Sequence, residues 1–415
     1  MTPEIKQRIE QIRRGEVPER YVKTALGLAP ANWKRYTFGD IYTERREPGD
    51  ENLPLLMVSI HSGVSDGEVD AAELPKQVKR IEDKSQYKKA VSGDLVFNMM
   101  RAWQGAIGTV RTTGMVSPAY IVAEPNDKAY PLFMDYYSRT PQMINQIDRQ
   151  SYGVTDFRKR LYWDSFAPIS CTLPPIEEQQ KIAAILTTQD KVIELKEKRL
   201  AEKQRQKKYL MQQLLTGKKR LPGFNEAWKT DCLGKLFFER KETNCENIEM
   251  LAITGTQGII PRKELDLKDN SSEDKSKYLR VCVGDIGYNT MRMWQGVSAY
   301  SNYEGIVSPA YTILKPSSSI NAKYFAYLFK MSEIVFLFYR FSQGLVDDTR
   351  NLKYENFKKI KVCYPPDIKE QTAIAEVLSA ADREIELLQQ DIEQEKQKKK
   401  ALMQLLLTGI VRVKT

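Results

Sequence analysis

The string NMMRAWQGAIG at residues 98–108 returns as NTMRMWQGVSA at 289–299, identical at six of eleven positions and 191 residues later. Around it, VSPAY recurs intact at 116–120 and 307–311, and YGVTDFRKRLYWDSF (152–166) faces QGLVDDTRNLKYENF (343–357) at the same offset. Gly-Asp turns match at 92–94 and 283–285, and NWK (32–34) faces AWK (227–229). A unit of about 190 residues is therefore present twice. A repeat that long is a duplicated domain rather than a solenoid module. A chain of 415 residues with 41% apolar and 10% aromatic residues has the material for two or three separate cores.

Each copy ends in the same way. LPPIEEQQKIAAIL (173–186) faces YPPDIKEQTAIAEVL (364–378), and LMQQLLTG (210–217) faces LMQLLLTG (402–409). Pro suits the first turn of a helix, and the acidic residues that follow (Glu177, Glu178; Asp367, Glu370) suit its positive end. Apolar residues then recur at alternating spacings of four and three: Ile182, Leu186, Ile193, Leu200, Leu210 and Leu214, and in the second copy Ile374, Leu378, Ala381, Ile385, Leu388, Ile392, Leu402 and Leu406. That is a coiled-coil seam, closed by Gly217 and Gly409. Each helix would run roughly 60 Å. One apolar stripe on a lone helix has to be covered. The economical solution packs the two helices together, antiparallel, with a pseudo-two-fold relating the copies; the alternative packs each helix on its own globular domain. The basic stretch KEKRLAEKQRQKK (196–208) is either a solvated helix face or a binding surface.

The globular segments read as mixed. LPLLMVSI (53–60), GDLVFNMM (93–100) and PAYIVAE (118–124) have strand character, whereas 132–147 and 323–341 read as helical. The expected fold class is α/β (mixed α+β): two pseudo-symmetric globular domains joined by two long antiparallel coiled-coil helices. The boundaries are a helical segment at 1–30, globular domains at 31–175 and 218–365, spacer helices at 176–217 and 366–409, and a tail at 410–415.

Several chemistries are excluded. The single histidine, His61, cannot build a His-based triad or a multi-histidine metal site. Five cysteines never fall in C-x-x-C spacing, which suits reduced thiols in a cytoplasm. There is no phosphate-binding P-loop and no Gly-rich cofactor fingerprint. LPPI and YPPD lack the flanking residues of an amino-methyltransferase site, and the carboxylates of PDIKE (366–370) make a poor nuclease centre. No apolar run could cross a membrane, and the N-terminus lacks the apolar core of a secretory signal. What remains is a binder and scaffold. A net charge of +10 favours a polyanionic partner, foremost nucleic acid.

Two globular units, each followed by PP-x-x-x-Q…I…IL and closed by LMQQLLTGKKRL or LMQLLLTGIVRV, resemble the specificity subunit of type I restriction–modification systems. The resemblance covers essentially the whole chain. It implies that each globular unit is a target recognition domain reading one half of a split double-stranded DNA site. It implies helices that set the half-site spacing and carry two modification subunits, with two restriction subunits beyond them. S-adenosylmethionine, ATP and Mg²⁺ would then sit on those partners, this chain would bind no cofactor or metal and catalyse nothing, and its place would be a bacterial or archaeal cytoplasm. Two rivals of other classes are a coiled-coil scaffold whose charge is incidental and a stand-alone nuclease.

Three places are candidate DNA contacts. N-x-M-R-x-W-Q-G offers Asn98, Arg101 and Gln104, and Asn289, Arg292 and Gln295, the residue types that read base edges, with Trp103 and Trp294 as supports. The same string is also explained as a fold signature. The Gly-containing loops supply Tyr152, Arg158, Lys159 and Arg160, and Gln343 and Arg350. The third place is His61 and Ser62, facing Thr256 and Gln257.

Overall fold

The computed structural model describes residues 3–24, 27–50, 52–61, 63–65, 86–155, 158–245, 248–255, 258–265 and 274–413. The chain divides into two compact units, Met1–Leu195 with Ile392–Thr415, and Lys196–Asp391. The division cuts both long helices, so each unit contains a globular fold and half of each helix.

In the first unit, four antiparallel strands lie in the order Tyr42–Arg45, Tyr120–Pro125, Leu95–Asn98, Ile107–Thr109. Alternation along them explains the layers. Leu95 and Phe97 enter a core shared with the helices Pro131–Tyr137 and Pro141–Arg149, and Val96 between them enters a second core under the hairpin Val58–Ser59/Gly63–Val64. The sheet is thus buried on both faces, which is why its strands read as continuous apolar runs. Lys34–Thr37 pairs with Ser170–Leu173, tying the start of the domain to the residues just before the long helix.

The second unit repeats this order with Phe237–Glu239, Tyr311–Pro316, Ile286–Asn289 and Ser298–Tyr300. Ile286 and Tyr288 face the helices, and Ile313 faces the core under the hairpin Leu251–Thr254/Gly258–Pro261. Lys229–Cys232 pairs with Lys361–Tyr364, as in the first copy.

The long helices run from Ile176 to Leu214 and from Ile368 to Leu407. They pair antiparallel within each unit. In the first, Gln189 Nε2 donates to Glu395 Oε2 (2.6 Å) and Lys399 meets Asp190 (2.5 Å). In the second, Lys196 meets Asp391 and Lys203 meets Glu384, each at 2.8 Å, and Lys207 meets Asp382. Arg199 also lies 3.7 Å from Glu384, so Lys196, Arg199, Lys203 and Lys207 of the basic stretch 196–208 form a ladder along the helix pair. Both ways of covering the apolar seam are used. Ile182, Leu186 and Leu406 are buried in the first unit's main core, and Leu214, Ile374 and Leu378 in the second's. Ile193 and Ile392 are also buried, while Leu200, Leu210, Ile385, Leu388 and Leu402 are half-buried. A two-helix pair covers one stripe only, and the globular fold supplies the further cover near the helix ends.

Four expectations change. Residues 1–30 are helical only over Pro3–Arg13; Tyr21–Thr24 and Gly27–Pro30 form a hairpin. That hairpin holds the end of the second long helix, with the Tyr21 hydroxyl donating to Gly409 O at 2.7 Å. The tail is tied down too, by Arg412 on Glu178 and Arg8 on Ile410 O. The strand expected over 53–60 narrows to Val58–Ser59. The helical runs at 132–147 and 323–341 are each two helices. In the first, Pro141 holds Thr140 extended, and the Thr140 hydroxyl caps the new helix by accepting from Met143 N. In the second, the chain turns at extended Met331 without a proline.

Candidate nucleic-acid interface

The repeated N-x-M-R-x-W-Q-G string follows the third strand of each sheet and forms one 3₁₀ turn, Ala102–Gln104 and Met293–Gln295. Its residues divide sharply by role. Asn98 Oδ1 accepts from Met100 N (2.8 Å) and Asn289 Oδ1 from Met291 N (2.9 Å), so each Asn side chain bends the backbone out of the strand. The Trp103 and Trp294 indoles donate back to Met100 O (3.1 Å) and Met291 O (3.0 Å), closing the turn. Gly105 (φ 103°) and Gly296 (φ 80°) end it in left-handed backbone. Arg101, Gln104, Arg292 and Gln295 are left exposed. No side-chain hydrogen bond holds Arg101 among the described residues, and Arg292 has only a long contact of 3.4 Å to Gln295.

The second pair of loops lands beside these turns. Tyr152 and Arg160 exchange backbone hydrogen bonds, as do Gln343 and Asn351. A Cβ at Gly153 or Gly344 would collide with the returning strand, 2.6 Å from Arg158 O or Thr349 O, which explains the shared glycine. Leu161 N then donates to Met99 O (2.9 Å), and Leu352 N to Thr290 O (2.8 Å). Lys159 and Arg350 act as latches. The Lys159 ammonium pairs with Asp148 (2.7 Å) and lies 4.9 Å from the centre of the Trp103 ring. The Arg350 guanidinium stacks 4.0 Å over Tyr339, bonds its hydroxyl and pairs with Asp347. Arg160 is half-buried, whereas Tyr152, Arg158 and Gln343 are exposed.

The third element is the hairpin bearing His61, which is exposed at its tip. A Cβ at Gly105 would lie 3.5 Å from Ile60 O, so this hairpin touches the motif turn. In the second unit the Leu251–Pro261 hairpin holds the same place, with Gly255 beside Val297. Ser62, Thr256 and Gln257 lie outside the described residues. Three candidates scattered over some 100 positions thus converge on one edge of each unit.

Sequence reasoning missed Tyr339, Phe336, Val154, Leu345 and Val346, which are exposed around the same edge. Phe336 and Tyr339 could have been found from the apolar residues that continue around the helix Ser332–Phe341 beyond its buried face. The Gly-Asp turns prove structural. Asp94 accepts from Val91 N and pairs with Arg45, and Asp285 does the same with Cys282 N and Arg240. Burial pushes the Asp94 carboxyl up, while Arg45 and the Val91 amide pull it back down. Among the described residues no group of three or more His, Cys, Asp or Glu is placed to hold a metal, and no helix is long and apolar enough to cross a membrane.

Comparison with known proteins agrees with this architecture. Residues 73–204 and 233–397 match the family model of the type I restriction modification DNA specificity domain. The chain is 24% identical over 446 residues to a Methanocaldococcus jannaschii protein assigned as the specificity subunit of the type I restriction enzyme MjaX, covering 96% of this chain and 98% of that one. It is 25% identical to the MjaVIII specificity subunit of the same organism, over 80% of this chain and 83% of that protein. In fold it resembles the type I restriction–modification S subunit from M. genitalium (TM-score 0.55, 12% identity, 92% and 97% covered). A chain from a structure of type I restriction–modification complex assembly and conformational transition gives a TM-score of 0.52 at 17% identity, with 92% and 99% covered. Two matched segments spanning most of the sequence settle the family: this chain belongs to the type I restriction–modification DNA specificity family.

Proposed function

We propose that each unit reads one half of a split double-stranded DNA site with the edge where the motif turn, the Gly loop and the hairpin meet. The observation that carries this reading is the convergence itself: three elements far apart in sequence put exposed Arg101, Gln104, Arg158 and His61 on one edge, and Arg292, Gln295 and Gln343 on its counterpart. Arginine and glutamine are the side chains that make paired hydrogen bonds to base edges, and arginine neutralises phosphates. As a specificity subunit the chain is not an enzyme; it contributes choice of sequence to a complex that contains DNA and methyltransferase and restriction subunits. In this reading the long helices set half-site spacing and dock two modification subunits, and two restriction subunits join the same complex. S-adenosylmethionine, ATP and Mg²⁺ belong to those partners.

Fluorescence anisotropy on duplex DNA, with the modification subunit present and over a range of salt, tests the reading. Affinity is to fall steeply with salt, by a slope near one for each phosphate contact. Binding that does not depend on the arginines of these edges would assign the edges to another role.

A further inference from the structure

Below the loops the two units differ at matched positions. In the first, Asp135 sits between two guanidiniums, 3.0 Å from Arg139 and 3.6 Å from Arg111, and its other oxygen accepts from the Thr109 amide (3.0 Å). This carboxylate is almost completely buried and fills the space beside Gly63 and Gly108. In the second unit the residue at the Asp135 position is Ala326, and Asn302 stands for Arg111. The cation remains, as Lys330. Its ammonium donates to the carbonyls of Gly296 (2.8 Å) and Ser298 (2.6 Å), and no carboxylate pairs with it among the described residues. The place of the missing carboxylate is an open cleft of 830 Å³, lined by Ser298, Tyr300, Lys323, Ala326 and Lys330 and bounded by the long helices.

Two substitutions point to what enters. Ser298 replaces the apolar Ile107 of the first copy; its side chain is 1% exposed and its hydroxyl has no hydrogen-bond partner. A buried hydroxyl without a partner costs free energy that a ligand oxygen would recover. Lys323 replaces Leu132 and adds a second cation at the rim. The Tyr300 amide also matters. Ser301 N is taken by Asp285 O as Val110 N is taken by Asp94 O, so strand alternation turns the Tyr300 amide outward, as it turns that of Thr109 onto Asp135. The cleft also carries two carboxylates: Asp382 pairs with Lys207 and accepts from the Tyr327 hydroxyl, and Glu386 accepts from Gln390 Nε2 (3.4 Å).

We propose that this cleft binds a phosphate-class oxyanion, held by Lys330, Lys323 and the Ser298 hydroxyl in the place where the first unit carries its own Asp135 carboxylate. The cleft adjoins the proposed reading edge, since Thr254, Gly255 and Gly258 of the hairpin also line it and Lys330 bonds the Gly296 carbonyl that closes the motif turn. Its anion is either a free phosphate ester or a backbone phosphate of bound DNA. Although Lys330 is partly exposed, burial of its ammonium lowers its pKa to about 8, so it still carries charge at neutral pH and gains from an added anion.

The test uses the full chain and inorganic phosphate at constant ionic strength. Calorimetry and thermal unfolding should show saturable binding to the wild type, weakened at least tenfold in Lys330→Met. Ala326→Asp returns the carboxylate that the first unit carries, here beside Lys330 and with Asn302 in place of Arg111, and it should abolish the phosphate response by occupying the site from within. Duplex binding separates the two sources. If Ala326→Asp weakens DNA binding and phosphate competes with DNA in the wild type, the anion is a backbone phosphate. If DNA binding is unchanged while phosphate binding is lost, the anion is free. A wild type with no saturable phosphate response, or an Ala326→Asp variant that binds phosphate as the wild type does, would overturn the proposal.

Discussion

The first unit presents Arg158, Lys159 and Arg160 in its Gly loop; the second presents Leu345, Val346, Asp347 and Arg350. Beneath these loops the joints match residue for residue. Arg45 on Asp94 corresponds to Arg240 on Asp285, and Tyr136 on Asp190 to Tyr327 on Asp382. Lys399 beside Asp190 corresponds to Lys207 beside Asp382, and Arg412 on Glu178 to Arg220 on Glu370. The duplication has kept these polar contacts between sheet, helices and ends, and charge has drifted in the exposed loops and, among buried groups, at Asp135, which becomes Ala326. Joints constrain many neighbours at once, whereas an exposed loop constrains few.

The comparison is sharpest at the joint with the largest expected energy. Glu178 and Glu370 are fully buried, and each is gripped by an arginine through two short hydrogen bonds. Removing the arginine strands a buried carboxylate, at a cost of about 3 kcal/mol or more. The copies are not equal, because Trp33 also donates to Glu178 (3.3 Å) while the Trp228 indole has no partner. Arg220→Ala is therefore expected to destabilise more than Arg412→Ala, by about 1 kcal/mol, the worth of one retained hydrogen bond. Urea unfolding of both variants decides it, and equal losses would mean that the Trp33 bond is idle.

At the proposed reading edges the difference is one of charge. Arg101→Ala combined with Arg158→Ala is expected to lower the salt slope of DNA binding by about two, and Arg292→Ala by about one, each contact counting about one. Anisotropy titrations at several salt concentrations measure both. Slopes that stay at the wild-type value would move the phosphate contacts elsewhere.

The Asp135/Ala326 difference has a pH signature. The Lys330 value of about 8 lies below that of an unfolded lysine, about 10.4. Between these limits the unfolded chain binds the extra proton, so stability contributed at this site rises with pH from about 8 to about 10.4 and is flat below. The difference in urea midpoint between wild type and Ala326→Asp should follow that course, because an added carboxylate lifts the lysine back toward its ordinary range. A difference that does not change with pH would remove Lys330 as its cause.

The smallest effects are expected at the latches. Lys159→Ala and Arg350→Ala each lose a cation over an aromatic ring, worth about 1 kcal/mol. Hydrogen exchange should show faster opening of 152–160 or 343–351 alone, with the rest of each unit unchanged.

The duplication and the long helices were legible because their signals are local: paired prolines, a heptad of apolar residues and a glycine at each end. The layering of the sheet was legible only in part. Val96 and Phe97 read alike, yet they enter different cores, and nothing local says that a strand is covered on both faces. The helical run at 132–147 hid its break although Pro141 was in view, because the apolar pattern continues across it. The proposed reading edge shows in the sequence as residue types and not as a place, since the His61 hairpin, the motif turn and the Gly153 loop meet only through tertiary contacts, such as Leu161 N on Met99 O and Ile60 O beside Gly105. Within the motif, the spacing could not tell that Asn98 is spent on its own backbone and Arg101 is not. The difference between Asp135 and Ala326 carried no meaning until Arg111, Arg139 and Lys330 were seen around that position.

The central claim is that each unit reads its own half of the site through the edge where its three loops meet. The most direct measurement is the methylome of a host carrying the complete system, with the wild-type chain or with Arg101→Ala and Arg158→Ala together. The account predicts a bipartite methylated motif in which one half relaxes or is lost and the other half keeps its sequence. An unchanged motif from a folded variant, or equal change in both halves, would contradict it.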